Sequence, residues 1–176
     1  NGLQHAQWGK IRVTNCASAG FRLSHTGSGS VYNDFGSLQV SLVSAGIGVH
    51  FTSVTPGAIN SNRFDSIIIN GGGGVNNREV GLRLERVQGL TINHFNCEQV
   101  TTTEALGGVV TGGIAVDFVE GDSVYILGGW LEGNTRDFQI ADNPTALQFM
   151  YLGSRDATGD VRYTYSTNRS GFWTNR

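Results

Sequence analysis

Apolar residues recur along the chain in short triplets. Ile11-Arg12-Val13, Phe21-Arg22-Leu23, Leu38-Gln39-Val40, Ile47-Gly48-Val49, Leu82-Arg83-Leu84 and Ile114-Ala115-Val116 each place two apolar residues around one that is usually polar or small. This is the alternation of a strand buried on one face. No stretch sustains a helical period, and glycine interrupts the chain almost every ten residues, so helices are not expected.

A longer period relates the triplets. One series of apolar starts reads Phe21, Ile47, Leu82, Ile114, Phe138 and Val161. A second reads Ile11, Leu38, Ile67, Leu90, Val124, Leu147 and Phe172, and the two series interleave. The shortest step in either is 23 residues, and longer steps read as the same unit with a loop added. Three strands of about five residues with their turns fill such a unit. The expected fold is all-β: a right-handed, single-stranded parallel β-helix, a solenoid of about six coils forming one domain over residues 1–176. Leu84, Val116 and Ile140 are expected to stack in one inward column. Loops at 53–63 and 99–111 are expected as exposed insertions. A β-sandwich also explains many short strands, but not the shared period. A leucine-rich repeat fits once, at Val87, Leu90 and Ile92, with Asn96 one place late.

Composition narrows the classes. With 26 glycines but only 2 prolines, and no triplet glycine repeat, the chain is not collagen-like. Charged residues make up only 15% and aromatics 10%, which is unlike a disordered chain. The net charge is −2 and no basic stripe is present, so nucleic acid is not an expected partner. No apolar run approaches the roughly 20 residues needed to cross a bilayer, so no membrane insertion is expected. No signal-peptide pattern is present. Because the chain begins at Asn1, it is expected to be a segment of a longer protein. Cys16 and Cys97 make no disulfide framework and are expected as reduced thiols, at least one of them buried.

Function would lie on the outward columns. The first series places His50, Glu85, Asp117, Ala141 and Thr164 in one such column, with Arg83 and Gln139 nearby. Glu85 and Asp117 then stand as neighbours. Paired carboxylates about 5 Å apart suit retaining glycoside cleavage, and a wider gap that admits a water suits inversion. Crowding also raises one of two such pKa values, as an acid catalyst requires. The alternative is a solvated surface ladder in which Arg83 neutralises both acids. The second series offers a column of Val75, Glu98, Glu132 and Arg155. Beside it Trp130, in a glycine-rich setting, has the aromatic face on which sugar rings stack. Alternatively, Trp130 fills a corner of the coil and Glu132 pairs with Arg155. Gly71 to Gly74 lacks the Lys-Ser/Thr of a phosphate loop. The four histidines lack metal-ligand spacing, and no Gly-x-Ser-x-Gly elbow occurs.

Three runs carry a family resemblance: VGLRLERVQGLTINHFNCE at 80–98, GIAVDF at 113–118 and SVYILGGWLEGN at 123–134. They resemble the coils of pectate-lyase-like β-helices, which recur in bacteriophage tailspikes and capsule depolymerases. The resemblance spans roughly residues 35 to 165. It implies a homotrimer in the virion tail, outside the cell. Its ligand would be a bacterial surface polysaccharide: capsule, O-antigen or exopolysaccharide. Cleavage would be by a glycoside hydrolase or polysaccharide lyase. The calcium-binding Asp clusters of pectate lyases are absent, as are the Asn-Thr-Asp, Asp-Asp and Gly-His-Gly motifs of polygalacturonases. The expected catalytic residues are therefore Glu85, Asp117, Glu98 and Glu132. His50, Arg83, Trp130 and Asn134 are expected to bind substrate, with no cofactor and no metal. Outward apolar residues Ile68, Tyr125 and Leu127 are assigned to the contact between chains. A carbohydrate binder using Trp130 and Asn134, or a structural fibre spacer, remains open beside the enzyme.

Overall fold

The computed structural model describes residues 6–16, 18–25, 30–42, 46–54, 59–72, 80–101, 112–140, 147–149, 153–155 and 163–165. Among these lie only strands and no helix. They are β1 (Gln7–Trp8), β2 (Ile11–Cys16), β3 (Ala19–His25), β4 (Ser30–Val31), β5 (Asp34–Leu42) and β6 (Ile47–Ser53). Next come β7 (Ile59–Asn60), β8 (Arg63–Asn70), β9 (Val80–Gln88), β10 (Thr91–Ile92), β11 (Phe95–Glu98) and β12 (Ile114–Asp122). The last are β13 (Val124–Ile126), β14 (Gly129–Glu132), β15 (Arg136–Ile140), β16 (Leu147–Phe149), β17 (Gly153–Arg155) and β18 (Tyr163–Tyr165).

The fold is all-β with two parallel sheets. The first runs β3-β6-β9-β12-β15-β18; β7 pairs with the last residues of β9, and β4 pairs with β7. In the second, β1 and β2 pair with β5, and β5 pairs with β8. The long β8 then pairs with both β10 and β11, which continue as the ladders β10-β13-β16 and β11-β14-β17. The chain thus passes from one sheet to the other between successive partners. Every described strand pair is parallel, which removes the antiparallel sandwich, whose neighbours are joined by hairpins.

In-register apolar residues form the core. Val40, Ile69, Cys97 and Leu131 occupy one column, and all are buried. Phe35 and Phe64 are also in register and stack with ring centroids 4.3 Å apart. Phe21 and Phe51 meet Phe64 edge-on. Each such side chain, fully buried, contributes about 1.5–3 kcal/mol. Cys16 and Cys97 are buried and are not joined in a disulfide.

The register differs from expectation in both series, and in the first an offset of two recurs: Phe21 pairs with Val49, and Ile47 with Val80. Val116 pairs with Leu82 and Phe138, whereas Leu84 pairs with Phe118 and Phe118 with Ile140. The inward column is therefore Leu84, Phe118 and Ile140. Ile114 aligns with Val80, two residues before the expected Leu82. A slip of two keeps every side chain on its predicted face, so local alternation does not reveal it. In the second series Ile67 pairs with Phe95 rather than aligning with Leu90, because β8 is long enough to carry two successive partners. Val161 and Phe172 lie outside the described residues.

The expected loops also differ. Val54 and Gln99 are exposed as expected, but Ile59 is buried and pairs with Val87, and Val100 is buried, so each segment also carries a core residue. Residues 55–58 and 102–111 lie outside the described residues. One glycine is required by close approach. Gly129 has φ +145°, and a Cβ there would overlap the Phe95 carbonyl oxygen. That tight step precedes Trp130.

Candidate functional site

In β9 the alternation turns Leu82 and Leu84 into the core and Arg83 and Glu85 outward. Parallel pairing then assembles two adjoining outer columns. One contains Arg22, His50, Arg83, Asp117 and Gln139. The other contains Ser24, Thr52, Glu85 and Glu120. Glu85 and Asp117 are therefore not register partners, as the sequence spacing had suggested. A register shift between Phe118 and Glu120 brings Glu120 opposite Glu85, while Asp117 lies opposite Arg83.

Arg83 ties the two acids together. Its Nε donates to Glu85 Oε1 at 2.6 Å, and its Nη1 lies 3.2 Å from Asp117 Oδ2. Glu85 Oε2 accepts from the Thr52 hydroxyl at 2.8 Å and lies 3.1 Å from His50 Nε2. Burial alone would raise the Glu85 pKa. Hydrogen bonds from Thr52, Arg83 and His50, with the Arg83 charge, outweigh it and bring the carboxyl to about 2. Asp117 goes the other way. Only 3% exposed, it is pushed upward chiefly by burial and also by the nearby Glu85 charge, against the opposing pull of Arg83. Gln139 Nε2 approaches Asp117 Oδ1 at 3.5 Å. Glu85 is thus a carboxylate fixed in its charged form, beside an acid biased toward its neutral form. Asp117 is covered, so the expected solvated ladder is wrong for this member.

The second cluster lies on the other sheet. Asn70, Glu98 and Glu132 stand in register, and Arg155 follows Glu132 as its backbone partner. Val75, expected in this column, lies outside the described residues. The adjoining outer column holds Gln39, Ile68, Asn96 and Trp130. Trp130 is 38% exposed, so it does not fill a corner of the core, and its indole N–H donates to Glu132 Oε2 at 2.9 Å. Asn96 Oδ1 is shielded from solvent and has no hydrogen-bond donor.

Asn134 corrects another expectation. It is only 2% exposed: its Oδ1 accepts from the Val100 N–H, and its Nδ2 donates to the Cys97 carbonyl. Its amide ties a turn to the adjacent strand and offers nothing to a ligand at the surface. The four candidate acids therefore do not form one centre. Glu85 and Asp117 belong to the first sheet, Glu98 and Glu132 to the second.

Sequence reasoning missed Thr52, Arg86 and Glu120. Thr52 was legible in principle, two residues after His50 on the same face. Arg86 was not: its φ of 57° breaks the alternation. Its Nε then donates to Glu120 and its Nη1 to the Ser53 carbonyl. A shallow cleft of about 290 Å³ lined by Trp8, Asp34, Phe35, Arg63 and Asp65 was also missed. Of the residues assigned to a chain contact, Leu127 is exposed and Ile68 and Tyr125 are half-buried. Among the described residues no His, Cys, Asp and Glu side chains group to hold a metal ion. No protein-family model, no curated protein and no solved structure matches the chain.

Proposed function

We propose that the chain is a right-handed parallel β-helix, part of a tailspike-like protein that binds and depolymerises a bacterial surface polysaccharide. What supports the helix is the parallel pairing of strands that alternate between two sheets at intervals near one coil. On this reading the protein works as a homotrimer in the virion tail. The observation that carries the catalytic part is the divergence of Glu85 and Asp117 around a shared Arg83. Neighbouring acids whose proton affinities are pushed in opposite directions are the usual arrangement of an acid and a nucleophile or base. Glu85 supplies the charged carboxylate. Asp117 is the neighbouring acid that holds its proton more tightly.

The test is incubation of the protein with purified capsule and O-antigen polysaccharides, followed by sizing of the glycan. Shortening by the native chain, lost in Glu85→Gln, supports cleavage at this site. A second reading is favoured by the hydrogen bonds that already occupy Glu85 and by the cover over Asp117. It is a carbohydrate-binding segment without catalysis, and it predicts retention of the glycan without shortening. A structural spacer predicts neither.

A further inference from the structure

We infer that the outer face of the second sheet is a separate glycan-binding track centred on Trp130, apart from the Glu85 cluster. This rests on the reading that the protein handles polysaccharide. Consecutive parallel strands β8, β11 and β14 present Ile68, Asn96 and Trp130 in one column and Asn70, Glu98 and Glu132 in the next. Neighbouring strands lie about 4.8 Å apart, close to the length of one sugar unit in an extended glycan. A chain crossing these strands therefore meets a pair of side chains at equivalent register positions at each sugar.

The chemistry of the pairs suits a sugar. At the Trp130 end an exposed indole is held in orientation by its N–H bond to Glu132. The C–H face of a pyranose packs on such a ring. Carboxylates at Glu98 and Glu132 accept hydrogen bonds from the hydroxyls on the sugar rim. Amides at Asn70 and Asn96 both donate and accept. Asn96 Oδ1 has no donor to lose, so turning that amide outward to a sugar hydroxyl breaks no hydrogen bond made by that oxygen. The two carboxylates stand in register and repel a polyanion. The ligand class is accordingly an uncharged, hydroxyl-rich glycan.

Affinity electrophoresis tests the track. The full chain carrying Glu85→Gln, to suppress cleavage, is run through gels containing neutral O-antigen polysaccharides or uronate-bearing capsules. Retardation is expected in at least one neutral gel and to be weaker in the uronate gels. Adding Trp130→Ala should weaken retention about tenfold, the scale of losing one stacked aromatic, and Trp130→Phe should fall between. Trp8→Ala, which removes the other exposed indole among the described residues, should leave retention unchanged. Retention undiminished by Trp130→Ala, or lost instead with Trp8→Ala, overturns the track and leaves the polysaccharide reading standing. Preference for the uronate gels overturns the ligand class. No retardation of the parent in any gel overturns both the track and the polysaccharide reading. Circular dichroism of each variant shows whether it is folded.

Discussion

The outer faces of the two sheets are built on the same ladder and have opposite characters. On the first, side chains bond to one another across strands: His50, Thr52 and Arg83 all bond to Glu85, Arg83 reaches on to Asp117, and Glu120, in register with Glu85, is bonded by Arg86. Charge is held inside a network. On the second, Glu98 and Glu132 are like charges in register, and Trp130 stands out into solvent. Parallel pairing gives both faces the same spacing. What differs is whether the stacked side chains satisfy one another or leave their capacity to a ligand. The first face is suited to fixing protonation states, the second to holding a chain of sugars.

The largest expected effect breaks the comparison if it fails. Glu85→Gln should lower polysaccharide cleavage by about 10²-fold or more, the scale of general acid–base or nucleophilic participation. Retention in affinity gels should persist. Full activity of this variant, measured by glycan sizing, moves the chemistry elsewhere. Next in size, Glu98→Gln should weaken retention by several fold while leaving cleavage of short oligosaccharides unaltered, so that the two faces separate kinetically. Loss of both together would merge them into one site.

Two smaller effects concern stability. Arg83→Met removes the link between two acids and leaves Asp117 covered without its cation. Because Arg83 is partly solvated, the expected cost is about 1–2 kcal/mol, below that of a fully buried pair. Urea denaturation measures it, and an unchanged midpoint would show that the first face is not a network. The last prediction uses pH. The raised Asp117 pKa contributes stability only while the group is protonated. That contribution is full below the ordinary Asp range and is lost as pH rises through the raised value. Glu85 runs oppositely: its contribution is present above the ordinary Glu range and lost as pH falls toward about 2. Asp117→Asn should therefore gain stability relative to the native chain as pH rises from acid toward neutral. A difference that does not vary across a pH series of denaturation curves would mean that Asp117 keeps its usual affinity for protons.

Local alternation determined much by itself. Leu82 and Leu84 inward with Arg83 and Glu85 outward follows from side chains pointing to opposite faces at successive positions, and needs no knowledge of the partner strand. The same holds for the inward Leu38 and Val40, and the recurrence of triplets pointed to stacked parallel strands. Partner identity was decided only by the tertiary structure. Val116 meets Leu82 instead of Leu84 because a slip of two residues leaves the pattern of faces intact, and packing of the whole column selects among such registers. Glu120 stands opposite Glu85 because the ladder shifts after Phe118, and Arg86 turns outward through a left-handed backbone that its own sequence neighbourhood does not announce. Asn134 looked like a surface amide and is buried, since the Val100 N–H and Cys97 carbonyl it satisfies are brought to it by pairing more than thirty residues away. Which face a residue takes is a property of its own strand; which residue it meets depends on loops and neighbouring strands whose lengths and bulges carry no local signal.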